Sequence, residues 1–447
     1  MFVQRQQRRR GATILMGLSL VSFVYILYNL AFPHLVGRYG VQRELLFLES
    51  TDRDVECHAG SAVAARDSRA KDVLVIMKTG ATEARRKVPV HFDTTFRCIP
   101  NYVIYSDMEE RINDVPVHDA LANFSATIKA TNQDFHFYYR QHKLRAEGQN
   151  LSELVTSTAG RDRAWNLDKW KFLPLLEKAL RHSPQAKWFV FIEADTYLVW
   201  SNMLRWLDQL DPDKPLYIGG QNWLGDTKFA HGGTGYVVSR KALRMAVDGY
   251  IKERQRWDEQ TATEAAGDAL LAKLFNSIGI GLTETWPITQ GETPFSLDYT
   301  TRHLCFPVVT YHHVSPEWVR AMWKFEQIWF SQAGKSAILR HRDVFNHVVA
   351  PQLSQAKAGW DNLSGDNEEV VVYQDGGADS CRRACQARPE CVQWHYNPAS
   401  CKTGNVIKLG ANETSGSGVE NVSGWMLDRI AKYVRQVEPC TQGWITA

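Results

Sequence analysis

Two acids, Glu193 and Asp195, close the hydrophobic run Trp188–Ile192 at positions i and i+2. An acid-x-acid at the end of a buried strand is a common means of holding a divalent cation over a diphosphate, because hard cations take carboxylate oxygens and ligands bind where the strands of open sheets end. Three later features could complete such a site. The segment His231-Gly232-Gly233-Thr234-Gly235 sets three glycines before the apolar Tyr236-Val237-Val238, where backbone can approach a ligand without side-chain obstruction. Gly267-Asp268 interrupts the apolar stretch from Ala265 to Leu271, so Asp268 reads either as a buried general base or as an exposed helix residue. Tyr311-His312-His313-Val314 ends a strand, and alternation sends its two imidazoles to opposite faces, so only one is expected to join the acids. One histidine with Glu193 and Asp195 makes a mixed nitrogen and oxygen set suited to manganese or a similar ion.

These residues need elements to place them. The runs Asp72 to Lys78 and Tyr102 to Ser106 read as buried strands. From Asn166 to Ser183 a helical pattern carries Trp170, Leu173, Leu176 and Leu180 on one side and leads into the Trp188 strand. A helix from Ser201 through Leu210, a strand and turn over Pro215 to Gly220, a helix from Thr263 to Ile278 and a strand from Val308 to Val314 follow. After Pro316, Glu317 to Phe330 reads as a helix whose Trp318, Met322, Phe325 and Trp329 face the core. The alternation predicts an α/β sandwich around a mainly parallel sheet.

A chain of 447 residues is long enough for a large enzyme domain and a smaller module. The formal charge of +3 is mixed along the sequence, and no basic stripe indicates nucleic acid. The exception is the amino terminus, where residues 1–10 hold Arg5, Arg8, Arg9 and Arg10 ahead of an apolar segment long enough to cross a bilayer. Residues 11–33 are expected to be a retained transmembrane signal anchor with the arginines cytosolic and the remainder lumenal. Residues 34–70 read as a stem, 71–350 as the main domain, 351–365 as a linker and 366–447 as a disulfide-rich α+β module. Eight cysteines and five sequons, at Asn123, Asn150, Asn362, Asn412 and Asn421, fit a glycoprotein of an oxidising compartment. Cys57 and Cys98 are candidates to pair, and Cys440 could join either the tail cysteines or Cys305.

Taken in order, these motifs resemble glycosyltransferase family 31, within it the core 1 β1,3-galactosyltransferase and fringe group and its fungal members. The segments that carry the resemblance are Trp170-Lys171, Trp188 to Tyr197, Tyr217-Ile218-Gly219, Gly232 to Tyr236 with Ser239, and Tyr311 to Val314. The tail, Cys381-x3-Cys385-x5-Cys391 followed by Trp394 and Cys401, resembles a PAN/apple module.

The resemblance implies a GT-A type, Rossmann-like domain and an inverting transfer that makes a β1,3 linkage from a UDP-sugar, with Mn2+ or another divalent cation. Galactose and N-acetylhexosamine are the expected donor sugars, and a glycan or glycoprotein is the acceptor. It places Asp195 as principal metal ligand, Glu193 as ligand or ribose contact and His312 as third ligand. Asp268 falls on the catalytic base, and Asp107, Lys171, Glu193, Gly232 and Gly233 on the donor side. It also implies a single-pass type II protein of the Golgi membrane. Glu193 stands where Asp is usual and Gly267 where an acid commonly precedes the base, so Glu264 is a reserve candidate. The rival expectation is a non-catalytic glycan-binding or chaperone-like protein that keeps the GT-A shell. Oligomeric state stays open.

Overall fold

The computed structural model describes residues 69–334, 336–365, 376–413, 421–437 and 439–446, with the backbone of 370–371. The expected anchor at 11–33, nearly all of the stem and Cys57 lie outside the described residues. Among the described residues no helix is long and apolar enough to cross a membrane.

The main domain is built on an eight-stranded sheet. Its strands are β1 (Val73–Lys78), β2 (Tyr102–Ser106), β3 (Glu110–Ile112), β4 (Val115–Asp119), β5 (Trp188–Glu193), β7 (Tyr217–Gly219), β10 (Tyr236–Ser239) and β11 (Leu282–Glu284). Three short pieces lie off this sheet: β6 (Tyr197–Leu198), the hairpin of β8 (Gln221–Leu224) with β9 (Thr227–Ala230), and β12 (Thr310–Tyr311). The order across the sheet is β11-β7-β10-β5-β1-β2-β4-β3. β1 runs parallel to β2 and β5, β2 to β4 and β7 to β11, whereas β10 lies antiparallel between β5 and β7. The sheet is therefore mixed rather than mainly parallel, and it fits a GT-A-like α/β fold.

Continuous apolar runs are needed because both faces are covered. Val73, Val75 and Met77 of β1 face one core, shared with Val190, Ile192, Ile218 and Trp206. Leu74 and Ile76 face the other, with Phe189, Phe191 and Tyr217. The helices are α1 (Ala81–Lys87), α2 (Asp134–Ala146), α3 (Thr158–Asp168), α4 (Phe172–His182), α5 (Trp200–Leu207), α6 (Arg240–Lys252), α7 (Arg254–Thr263), α8 (Gly267–Ser277) and α9 (Pro316–Ala333). The single helix expected over 166–183 is two, joined by a 3-10 turn at Lys169–Lys171, and the one expected from Thr263 begins only at Gly267. On α9 the buried stripe is Val319, Met322, Trp323, Glu326 and Phe330, so Trp318, Phe325 and Trp329 sit at its margin.

The C-terminal unit is a sheet of β13 (Lys357–Ala358), β15 (Val370–Val371), β16 (Gln393–Asn397), β17 (Ser400–Gly404) and β19 (Val422–Trp425), beside the pair β14 (Trp360–Asp361) and β18 (Ala411–Asn412). Helix α10 (Gly377–Ala387) is bound to it through Cys381–Cys401 and closed by Cys385–Cys391. Residues 351–365 are not a linker. They supply β13 and β14, and Asn362, wholly buried, donates to the carbonyls of Trp394 and Gly424. The unit is also continuous with the main domain, since Val392, Ile407, Leu409, Trp425 and Ile430 join the core around Trp206 and Val308. Cys440 resolves its two options by bonding to Cys305, and the Trp206 indole donates to Ile445 O at 2.7 Å. Cys98 is disulfide-bonded as well.

Two outcomes follow from this packing. Replacing Cys305 and Cys440 by alanine opens a closure of 135 residues, and urea denaturation is expected to show a loss of about 3 kcal/mol. In protein secreted from eukaryotic cells, glycopeptide mass spectrometry should find glycans on the exposed Asn123 and Asn150 and none on Asn362, whose amide is committed inside the C-terminal sheet.

Candidate active site at the ends of the central strands

β1 and β5 are neighbours near the middle of the sheet, and their register sets Lys78 beside Glu193 at the carboxyl ends of both. Elements continue from here to opposite sides of the sheet, which is where α/β folds bind ligands. Lys78 Nζ lies 3.0 Å from Glu193 Oε1 and 2.6 Å from Asp168 Oδ2 at the end of α3. Burial would favour the neutral amine, but these carboxylates outweigh it and hold Lys78 protonated above its ordinary range. Lys171, 1% exposed, approaches the other Asp168 oxygen at 2.7 Å and donates to Thr79 O.

After β5 the chain turns tightly. Thr196 N donates to Glu193 O, and the Thr196 hydroxyl donates to Gly233 O at 2.8 Å, which ties the acidic turn to the glycine segment. His91, kept neutral by burial that pushes its pKa down to about 4, hydrogen-bonds Ala194 O from beneath. Asp195 therefore points to one place. Its Oδ2 meets Lys87 Nζ of α1 at 2.9 Å, and its Oδ1 lies 3.4 Å from His312 Nε2. Burial would raise the Asp195 pKa, yet Lys87 and His312 hold it well below the carboxylate range.

His312 arrives by pairing. Thr310 and Tyr311 of β12 lie antiparallel to Leu198 and Tyr197 of β6, which follows the acidic turn directly, and Val314 N donates to Asp195 O. The strand ends before the histidines, and His313 takes a positive φ of 56°. That breaks the alternation expected from sequence. The two imidazole centroids lie 3.7 Å apart with the rings tilted by 31°, and Asp195, His312 and His313 each offer a ligand atom within 4.8 Å of the others. Glu193 has one oxygen held by Lys78 and the other, Oε2, 3.8 Å from His312. Asp195 and His312 of the expected trio thus lie together, with His313 beside them and Glu193 at that distance. His312 Nδ1 is buried without a hydrogen-bond partner among the described residues, and two imidazoles with a carboxylate suit a transition-metal cation.

The glycines are explained by contact. A Cβ on Gly233 would fall 2.1 Å from the His312 ring, and one on Gly232 would fall 2.9 Å from Glu193 Oε1. Gly232 N also donates to Asp268 Oδ2 at 3.1 Å, so this segment is the seam between Asp268 and the acidic turn. Asp268 is buried at the start of α8, with Ala269 N donating to its other oxygen. Burial, reinforced by the Glu193 charge, pushes its pKa up to about 7 despite the helix N-terminus. The acid missing at position 267 has a packing cause, because a Cβ there would lie 2.3 Å from Phe172 and 2.8 Å from the Lys169 backbone. Glu264, the reserve candidate, is paired with Lys273 at 2.6 Å.

Asp107 and Lys171 are both buried. Asp107 Oδ1 accepts from Ala81 N at the start of α1, and Lys171 reaches its other oxygen at 3.7 Å. Together they tie the segment between β1 and α1, since Lys171 also donates to Thr79 O. Sequence reasoning missed Lys78, Lys87, Asp168 and His313. Lys78 carries a faint signal, a cation closing a buried strand, whereas Lys87 and Asp195 are 108 residues apart and nothing local joins them.

Lys78→Met would leave the partly buried Asp168 and Glu193 without this cation, and urea denaturation is expected to show a loss of about 2 kcal/mol. A loss below about 1 kcal/mol, the range of a solvated surface pair, would contradict this account of the strand ends.

Residues 68–287 match the family model described as Fringe-like. That span holds Lys78, both acids, the glycine segment and Asp268. The chain is also similar to a protein of Mus musculus named "Beta-1,3-glucosyltransferase", 26% identical over 162 residues that cover 34% of this chain and 31% of the other. The chain thus spans about a third of the length of that curated relative. On these two likenesses, residues 68–287 resemble a Fringe-like domain.

Proposed function

We propose that the chain is an inverting, metal-dependent glycosyltransferase that moves a sugar from a UDP donor to a glycan or glycoprotein acceptor and forms a β1,3 linkage. The observation that carries this reading is the convergence of Asp195, His312 and His313 at the carboxyl end of β5, one glycine seam away from a buried carboxylate whose pKa is pushed up to about 7. A divalent cation held by Asp195, His312 and His313 would supply Lewis-acid stabilisation of the negative charge on the departing diphosphate.

The remaining roles belong to side chains. Asp268, when ionised, takes the proton from the acceptor hydroxyl, and a single displacement inverts the anomeric centre. Its buried setting keeps its proton affinity near the working pH, where a base is effective. The bare backbone of Gly232 and Gly233 lets donor and acceptor approach in line. Lys78 fixes Glu193 on the donor side of the seam, and Lys87 with Glu83 fixes the second oxygen of Asp195. The name of the mouse relative adds UDP-glucose to UDP-galactose and the UDP-N-acetylhexosamines as donors to test. The amino-terminal segment is proposed as the anchor of a type II Golgi protein, and the C-terminal unit as a PAN/apple-like module.

The test is UDP release by residues 35–447 against these donors, with Mn2+ and with chelator. Release is expected to need the metal and to vanish in Asp195→Ala; a protein that neither binds UDP with Mn2+ nor releases it has the rival, non-catalytic character. Asp268→Asn should lower transfer by at least ~10²-fold while UDP and Mn2+ still bind. Because the base must be ionised, kcat/KM in the wild type is expected to fall as pH drops below about 7. A flat profile from pH 5 to 8 would remove Asp268 from that role.

A further inference from the structure

We infer that Trp165 is the platform on which a pyranose ring of the acceptor stacks, an inference that deepens the proposed transferase reading and rests on it. Of the chain's 15 tryptophans, only Trp165 and Trp223 are exposed, at 44% and 56%. Trp165 stands one helical turn before Asp168 on α3, so the two share a face. Asp168 in turn holds Lys78 and Lys171 beneath the donor side. The indole N–H of Trp165 donates to Ala265 O at 3.3 Å, three residues before Asp268. One side chain is thereby located from two directions, beside the donor network through its own helix and beside the base through its hydrogen bond.

The same helix end supports the loop more widely. Lys169 Nζ donates to Ala262 O and Glu264 O, so residues 262–266 are held by Trp165 and Lys169 together. Trp170 makes a useful contrast, because it is buried and its N–H meets Asp134 inside the fold. Trp165 is anchored by its edge while no other ring or cation of the described residues stacks on it. An aromatic ring fixed before binding loses little freedom on binding. Asp162, one turn earlier on the same face, is exposed and polar. That suits a sugar, whose C–H face packs on an indole while its hydroxyls meet polar groups, better than an apolar protein partner.

The experiment uses residues 35–447 with UDP and Mn2+ present, on a glycan array and by saturation-transfer NMR with the glycans that bind. Wild type, Trp165→Ala and Trp165→Phe are compared, and UDP affinity is measured for each. The expected result is that Trp165→Ala weakens glycan binding by about tenfold with UDP affinity held, and that Trp165→Phe restores most of it. Unchanged glycan binding in Trp165→Ala overturns the inference, as does a wild type that binds UDP but no glycan. A wild type that fails to bind UDP with Mn2+ instead refutes the transferase reading, and this inference falls with it.

Discussion

The site depends on cations that make crowded, partly buried carboxylates tolerable. Glu193, Asp195 and Asp168 converge where β5, its following turn and α3 end, and three acids cannot be withdrawn from water together without compensation. Lys78 and Lys87 supply it, each from the chain just before or within α1. Because β1 and β5 are parallel neighbours in fixed register, the Lys78 ammonium and the Glu193 carboxylate are delivered side by side. Everything above this layer is aimed by it.

A second constraint is lack of space. His312 occupies the volume that a side chain at 233 would take, and Phe172 with the Lys169 backbone occupies that of a side chain at 267. The first glycine brings backbone against a ligand-type imidazole. The second lets the loop before α8 close onto the 3-10 turn at Lys169–Lys171, which buries Asp268 and raises its proton affinity. The glycine at 267 is here accounted for by packing.

The C-terminal unit is more than an appendage. It shares an apolar core with the main domain and is joined to it by Cys305–Cys440, by Lys408 with Asp298 at 3.1 Å, and by strand-like bonds such as Tyr299 N to Ile407 O. Within it, Arg429 donates to the carbonyls of Cys385, Arg388 and Cys391 and so closes the small disulfide loop. A unit of this size buries too little apolar surface to stand easily alone, and disulfides with docking against a larger core supply the difference.

The sequence by itself determined the central strands β1, β2, β5, β7 and β10, the acidic pair at the end of β5, the glycine seam, Asp268 and the presence of a cysteine-rich tail. Those signals are local: apolar runs, residue types at short spacing and turn-forming glycines. Only the tertiary structure decided that Glu193 pairs with Lys78, that the His313 ring lies against His312, that Asp107 pairs with Lys171, and that residues 351–365 supply two short strands. Each of those depends on partners distant in sequence or on one backbone angle. The φ of His313 turns its ring toward its neighbour, and no periodicity reports it. Ion pairs such as Lys87 with Asp195 form because α1 packs over the turn after β5, a contact set by the fold rather than by any neighbouring residue.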